Sequence, residues 1–172
     1  ILSRTNRLLA DKQSLCKILR AMFEEGNILY FNPFYFENGN TPKPKYFLVL
    51  KAIDNQLVLA SLPTSHDHIP SYMDKVHGCI DDDTINFNCY YFQGGKVVAY
   101  DENLQNDFAF PRDTYVYGYR IDFFDLDKFR LQISEGLNEV TVVGKLYEQE
   151  MLDIRECLKK STSVKKKFRR LL

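Results

Sequence analysis

Apolar and polar positions change period several times along this chain, and each change marks an element. From Ser3 to Glu25, Leu8, Leu15, Ile18, Leu19, Met22 and Phe23 fall on one helical stripe, and Gly26 supplies a C-terminal stop. Asn27 to Phe31 reads as a short strand. Asn32 to Pro44 holds three prolines and Asn-Gly-Asn, so it reads as a loop. Two apolar runs, Tyr46 to Ile53 and Gln56 to Leu62, flank Asp54-Asn55 and predict a hairpin. Ile85 to Phe92 and Lys96 to Tyr100 flank Gln93-Gly94-Gly95 and predict a second one. Thr114 to Ile121 sets Tyr115, Tyr117 and Tyr119 against Val116, Gly118 and Arg120, the period of a strand with two unlike faces. After Gly144, the spacing of Tyr147, Met151, Ile154 and Leu158 predicts an amphipathic helix. Ser161-Thr162-Ser163 reads as a break and a cap, and Val164, Phe168, Leu171 and Leu172 stripe the last segment.

These elements sum to a mainly β chain with flanking helices: a compact antiparallel barrel or small sheet, one helix in front and one or two behind. The division expected is a helical extension over 1–25, a β domain over 26–160 and a basic helix or tail over 161–172. Of 172 residues, 45% are hydrophobic and 14% aromatic, enough for a packed core and too many for a disordered chain. No apolar run reaches the length of a membrane span, and no signal peptide is visible. The four cysteines, Cys16, Cys79, Cys89 and Cys157, have no CxxC spacing. Reduced thiols in a cytoplasmic protein are the expectation, with a zinc site from His77, Cys79 and Cys89 as a minor alternative. No metal or other cofactor is expected.

Net charge is zero but unevenly placed. From Lys159 to Leu172 there are seven basic residues and no acidic one, and from Ile80 to Val140 twelve acidic residues face five basic ones. A basic end on an acidic body suits nucleic acid or an acidic partner, or simply a solvated helix face. Asp81-Asp82-Asp83 reads as a solvated turn in preference to a cation site. Tyr117, with Tyr90, Tyr91 and Phe92, suits either base stacking or core packing.

The chain carries no phosphate loop, nucleotide fingerprint, HExxH or GxSxG motif. What remains is a cation at the entry of the first hairpin, Lys45 with Lys43 nearby, and a polar cluster at its exit: Thr64, Ser65, His66, Asp67 and His68. Cleavage of RNA by its own 2′-hydroxyl needs a proton carrier and a cation to steady the phosphorane. Lys45 fits the cation, Thr64 and Ser65 fit phosphate donors, and His66 or His68 titrates near neutrality. Each of these residues also has a purely structural reading, as surface lysine, turn cap or solvated histidine.

Gly26-Asn-Ile-Leu-Tyr-Phe-Asn-Pro33, a Gly/Pro loop, Lys45-Tyr-Phe-Leu-Val-Leu50 and Leu62-Pro-Thr-Ser65 together resemble the PemK/MazF-like toxin family, in the order of its opening strand, mobile loop, "RPxxVL" strand and "P-x-T-S" strand end. Val143 to Ile154 resembles that family's C-terminal helix. The resemblance implies an SH3-like small antiparallel β-barrel of the PemK/CcdB type. It also implies a toxin of a toxin–antitoxin system, a metal-independent endoribonuclease on single-stranded RNA. A homodimer and an acidic antitoxin peptide lying across the RNA groove are implied as partners. It places the family's catalytic arginine on Lys45 and its threonine or serine on Thr64, with Ser65 beside it. Lysine for arginine exchanges a planar fork for a point charge, and Tyr46 stands where proline is usual. Arg112, just before a strand, is a candidate replacement for that guanidinium, and Lys43 and Tyr117 are candidate RNA contacts. The alternative expectation is a non-catalytic barrel that binds nucleic acid or a protein peptide.

Overall fold

A computed structural model describes residues 17–35, 41–64, 67–134 and 139–172. The start of the expected N-terminal helix, the tip of the Gly/Pro loop, Ser65 and His66 lie outside them.

Among the described residues, ten strands form two antiparallel sheets. β1 (Asn27–Phe34), β2 (Lys43–Ile53) and β3 (Gln56–Leu62) pair in succession; the β2–β3 hairpin is the one expected, and Asp54 takes φ 50° in its turn. β1 and β2 run further into the Gly/Pro segment than expected. An irregularity between Phe31 and Phe34 accommodates Pro33, which has no N–H to give the ladder, and pairing resumes at Phe34 with Lys43. With β6 (Val97–Asp101), β7 (Asn106–Ala109), β9 (Ile121–Asp125) and β10 (Val140–Leu146) these strands make one sheet of order β7-β6-β10-β1-β2-β3-β9. β4 (Gly78–Asp82), β5 (Phe87–Phe92) and β8 (Thr114–Tyr117) make the second, of order β4-β5-β8. The class is mainly β and antiparallel, as expected. The larger sheet is open: β7 and β9 end it and do not pair with each other, so the strands do not close into a barrel.

Two expected elements are rearranged. Gln93-Gly94-Gly95 does not turn a hairpin, because β5 and β6 lie in different sheets. Gly94 backs onto the Arg112–Asp113 backbone, where a Cβ would come within 2.9 Å of a main-chain carbon. Its N–H donates to the Asp113 carboxylate at 2.9 Å, and the Gly95 N–H to the Phe110 carbonyl at 2.8 Å. The turn is thus held to a distant segment and hands the chain from one sheet to the other. Likewise Thr114 to Ile121 is not one strand. A 3₁₀ turn, Gly118–Arg120, breaks it after Tyr117, and β9 joins the large sheet.

Period-2 alternation then sorts the core. Leu48 and Leu50 of β2 face a cluster shared with Tyr90, Phe92, Val116 and the C-terminal helices. Phe47 and Val49 face the opposite cluster, closed by Leu19 and Phe23 of α1 (17–22 and the turn after it) and by Leu126 and Phe129 of α2 (Leu126–Ser134). α3 (Glu148–Lys160) buries Met151, Ile154, Cys157 and Leu158, three of them on the expected stripe. Val164, Phe168 of α4 (Lys166–Arg169) and Leu172 complete the same core. A third cluster packs Ile69 and Met73, from the segment after β3, over Tyr91, Tyr115 and Tyr117 on the outer face of the small sheet.

The expectation of reduced thiols fails at two positions: Cys79 of β4 and Cys157 of α3 form a disulfide. They are 78 residues apart, and only the packing of α3 on the small sheet brings them together. The bond also removes Cys79 from any zinc set and removes the thiol argument for a cytoplasmic location. Cys89 is a free, buried thiol whose ionisation burial pushes well up. Among the described residues, no helix is long and apolar enough to cross a membrane.

Candidate functional site

Antiparallel pairing of β2 with β3 decides what Lys45 can reach. Phe47 pairs with Ser61 and Tyr46 with Leu62, so Lys45, Phe47 and Ser61 share one face while Tyr46 and Leu62 share the other. On the Lys45 face a cavity of about 740 Å³ opens between β1, β2, β3, β9 and α2. Lys45, Arg120 and Lys128 bring positive charge to its wall. Phe34, Tyr35, Phe47, Phe123, Phe124 and Phe129 bring rings, and Ser61, Gln56, Asp122 and Asp125 bring polar oxygens and an amide.

Lys45 is half-buried, and its ammonium lies 5.1 Å from the centroid of Phe47 and 5.5 Å from that of Phe34. Burial lowers its pKa below the ordinary lysine value, and the positive charges of Lys43 and Arg120 lower it further. Arg120 comes from the 3₁₀ turn that carries the chain between the sheets, and its guanidinium stacks 5.5 Å from Tyr119 and 5.7 Å from Tyr117. Its Nη2 lies 3.5 Å from Nε2 of His68, the outer limit of a hydrogen bond. The two carboxylates of the wall are engaged locally. Asp122 accepts from the Phe123 N–H at 2.9 Å, and Asp125 from the Asp127 N–H at 2.8 Å at the start of α2.

The residues singled out in the sequence are therefore only partly united. Lys45 lines the cavity, and His68 reaches it through Arg120. His68 is exposed, with its backbone N–H donating to the Tyr117 hydroxyl at 2.8 Å. Thr64 does not line the cavity; the Pro63 carbonyl before it accepts the Tyr115 N–H at 3.2 Å, which ties this segment to the small sheet. Ser65 and His66 fall outside the described residues. Lys43 is exposed at the start of β2, and its charge is felt at Lys45. Arg112 is exposed in the turn against Gly94 and does not line the cavity; the guanidinium that does is Arg120. Tyr117 is fully buried, stacked 5.7 Å from Tyr115 beneath the segment after β3, so it offers no face to a base.

Arg120, Ser61 and the β9 phenylalanines escaped sequence reasoning. Arg120 sat inside an alternating tyrosine run, where it read as one more outward strand residue. The available signal was Gly118, whose lack of a side chain marks where that run breaks.

A second cluster lies between α3 and the small sheet. The Glu150 carboxylate accepts from Nε2 of His77 at 2.9 Å and from the Tyr90 hydroxyl at 2.8 Å, while Nδ1 of His77 accepts from the Gln93 N–H at 3.3 Å. Burial, with Glu150 adding to it, raises the Tyr90 phenol. Both imidazole nitrogens and the phenol make internal bonds, so this cluster fastens α3 to the small sheet.

No protein-family model, no curated protein and no solved structure matches the chain.

Proposed function

We propose that the cavity beside Lys45 binds single-stranded RNA, and that the chain is a toxin-like, metal-independent endoribonuclease domain. The observation that carries this reading is the convergence of Lys45 and Arg120, from separate elements, onto a wall of phenylalanine and tyrosine rings. Cations take phosphates, and the rings of the wall that keep exposure, Tyr35 and Phe124 among them, take unstacked bases over the buried Phe34, Phe47 and Phe129; together they favour a flexible single strand over a duplex. In this reading β1 to β3 and β10 are an open, enlarged version of the PemK/MazF-like SH3 barrel. Arg120 restores the guanidinium that Lys45 lacks. An acidic antitoxin peptide would compete for the same groove, and the family resemblance adds a homodimer.

Cleavage would proceed by attack of the RNA 2′-oxygen on the adjacent phosphorus. The bond to the 5′-oxygen breaks, leaving a 2′,3′-cyclic phosphate and a 5′-hydroxyl. His68 takes the 2′-hydroxyl proton and returns one to the leaving oxygen, while Lys45 and Arg120 hold the charge of the phosphorane. The test is a mixed-sequence single-stranded RNA incubated with the protein in chelator. New ends carrying 2′,3′-cyclic phosphate are expected, and Arg120→Ala should slow their appearance by about a hundredfold, as loss of one charge-stabilising donor does. Intact RNA under these conditions sinks the enzyme.

A second reading, binding without cleavage, is favoured by one observation: Thr64, the family's expected phosphate donor, stands outside the cavity. It predicts RNA retained on the protein, uncut, with Lys45→Ala and Arg120→Ala each weakening retention by about tenfold, the value of one lost phosphate contact.

A further inference from the structure

The cavity does not stop at the face of the large sheet. Phe124 of β9 packs with Phe47 and Phe129 on the Lys45 side, whereas Phe123 packs on the opposite side, against Phe168 at 5.0 Å. All four residues Asp122 to Asp125 line the cavity, so it reaches β9, the last strand of the sheet, and the Phe123 ring lies across that edge. At the far side Lys167 places its ammonium 4.8 Å from the centroids of both Phe123 and Phe168. Beyond it lies the stretch from Lys159 to Arg170, with seven cations and no acid. Its apolar residues Val164 and Phe168 are fully buried, while Lys165, Lys166, Lys167 and Arg170 are exposed. Burial of the stripe fixes where those cations stand, which a solvated tail would not do.

We infer that this C-terminal segment is a second phosphate-binding surface, continuous with the groove, so that one single strand of nucleic acid passes from Lys45 and Arg120 over β9 onto the basic segment. The inference rests on the RNA reading of the groove. A strand too short to cross β9 would touch only the groove, whereas a longer one would touch both, and single strands typically occupy such surfaces over several nucleotides. Each phosphate contact also adds to the salt dependence of binding.

The experiment measures fluorescence anisotropy of labelled oligouridine of about 5 and about 15 nucleotides at several salt concentrations. It compares the wild type, Lys45→Ala/Arg120→Ala, and Lys165→Gln/Lys166→Gln/Lys167→Gln. Because Lys167 packs on two rings, Lys165→Gln/Lys166→Gln is read alongside, and circular dichroism checks each fold. The C-terminal variants should bind the long strand about tenfold more weakly, with a shallower salt slope, and leave the short strand unchanged. Equal weakening for both lengths, or for neither, overturns the second surface. Failure of the groove looks different: Lys45→Ala/Arg120→Ala would then bind both lengths as the wild type does. If the wild type binds neither strand, the groove and its extension fall together.

Discussion

Lys45 shows what one residue reveals in sequence and what it conceals. A lysine opening an apolar strand is visible as a cation on a rigid support, and pairing with β3 puts it at the cavity wall. Its partner was not visible, because Arg120 reaches that wall only through a 3₁₀ turn inside a run whose alternation looks like uninterrupted strand. The local pattern reports which faces differ; it does not report where a glycine lets the chain change sheets. The energetic sign at Lys45 is also set by tertiary placement. Its pKa is lowered in the folded state, so between the folded value and the ordinary 10.5 the unfolded chain holds more protons and stability rises with pH. Below that window, at neutral pH, the full penalty for holding a charged Lys45 remains. Lys45→Met keeps the packing on Phe34 and Phe47 and removes the charge. It should raise the thermal midpoint at pH 7 while weakening RNA binding, and the gain should shrink as pH approaches 10.5. A midpoint that falls at pH 7 would mean that Lys45 is a net support of the fold and not held there for function.

At the scale of elements, period and turn chemistry carried furthest where contacts are local. The β2–β3 hairpin and the buried stripe of α3 follow from spacing alone, since their partners are a few residues away or on one face. At Gln93–Gly95 the same Gly-Gly signal serves a two-residue reversal or a close backbone approach, and contact with Arg112–Asp113 selects the second. The bond between Cys79 and Cys157 was hidden for a related reason: nothing local marks two cysteines that meet only once α3 lies on β4. In the chain-entropy account, closing a loop with a sequence separation of 78 stabilises by about 4.5 kcal/mol. Met151, Ile154 and Leu158 keep α3 docked without it. Reduction, or Cys79→Ser, should therefore leave the β-sheet circular dichroism intact and lower the urea midpoint by about 2 M, taking a slope typical of small domains. An unchanged midpoint in reductant would show that the unfolded chain is already restricted there.

At the scale of the whole molecule, the two sheets and the C-terminus meet at Gly118. The chain leaves the small sheet after Tyr117 and enters the large one at Ile121, and Gly118 makes that crossing against three side chains. A Cβ there would stand 2.6 Å from Cγ2 of Val164, 2.8 Å from Oδ1 of Asn88 and 3.0 Å from Oγ of Ser163. Asn88 has little room to yield, because its amide donates to Asp81 at 2.9 Å and to the Cys157 carbonyl at 3.2 Å. Val164, fully buried, stands closest to the new Cβ, and it anchors the basic segment. Gly118→Ala should therefore push on the C-terminal segment first. Overpacking of this kind costs about 2 kcal/mol overall, and the strain should appear locally as faster trypsin cleavage at Lys165 to Lys167 while the sheets remain protected. If the basic segment supplies phosphate contacts, the same variant should also lose salt-sensitive affinity for long RNA, although no charge has been changed. Global unfolding without early cleavage would mean that the crossing is clamped by Asn88 and the small sheet alone, and the C-terminal cations would then owe their placement to Phe168 and its contact with Phe123.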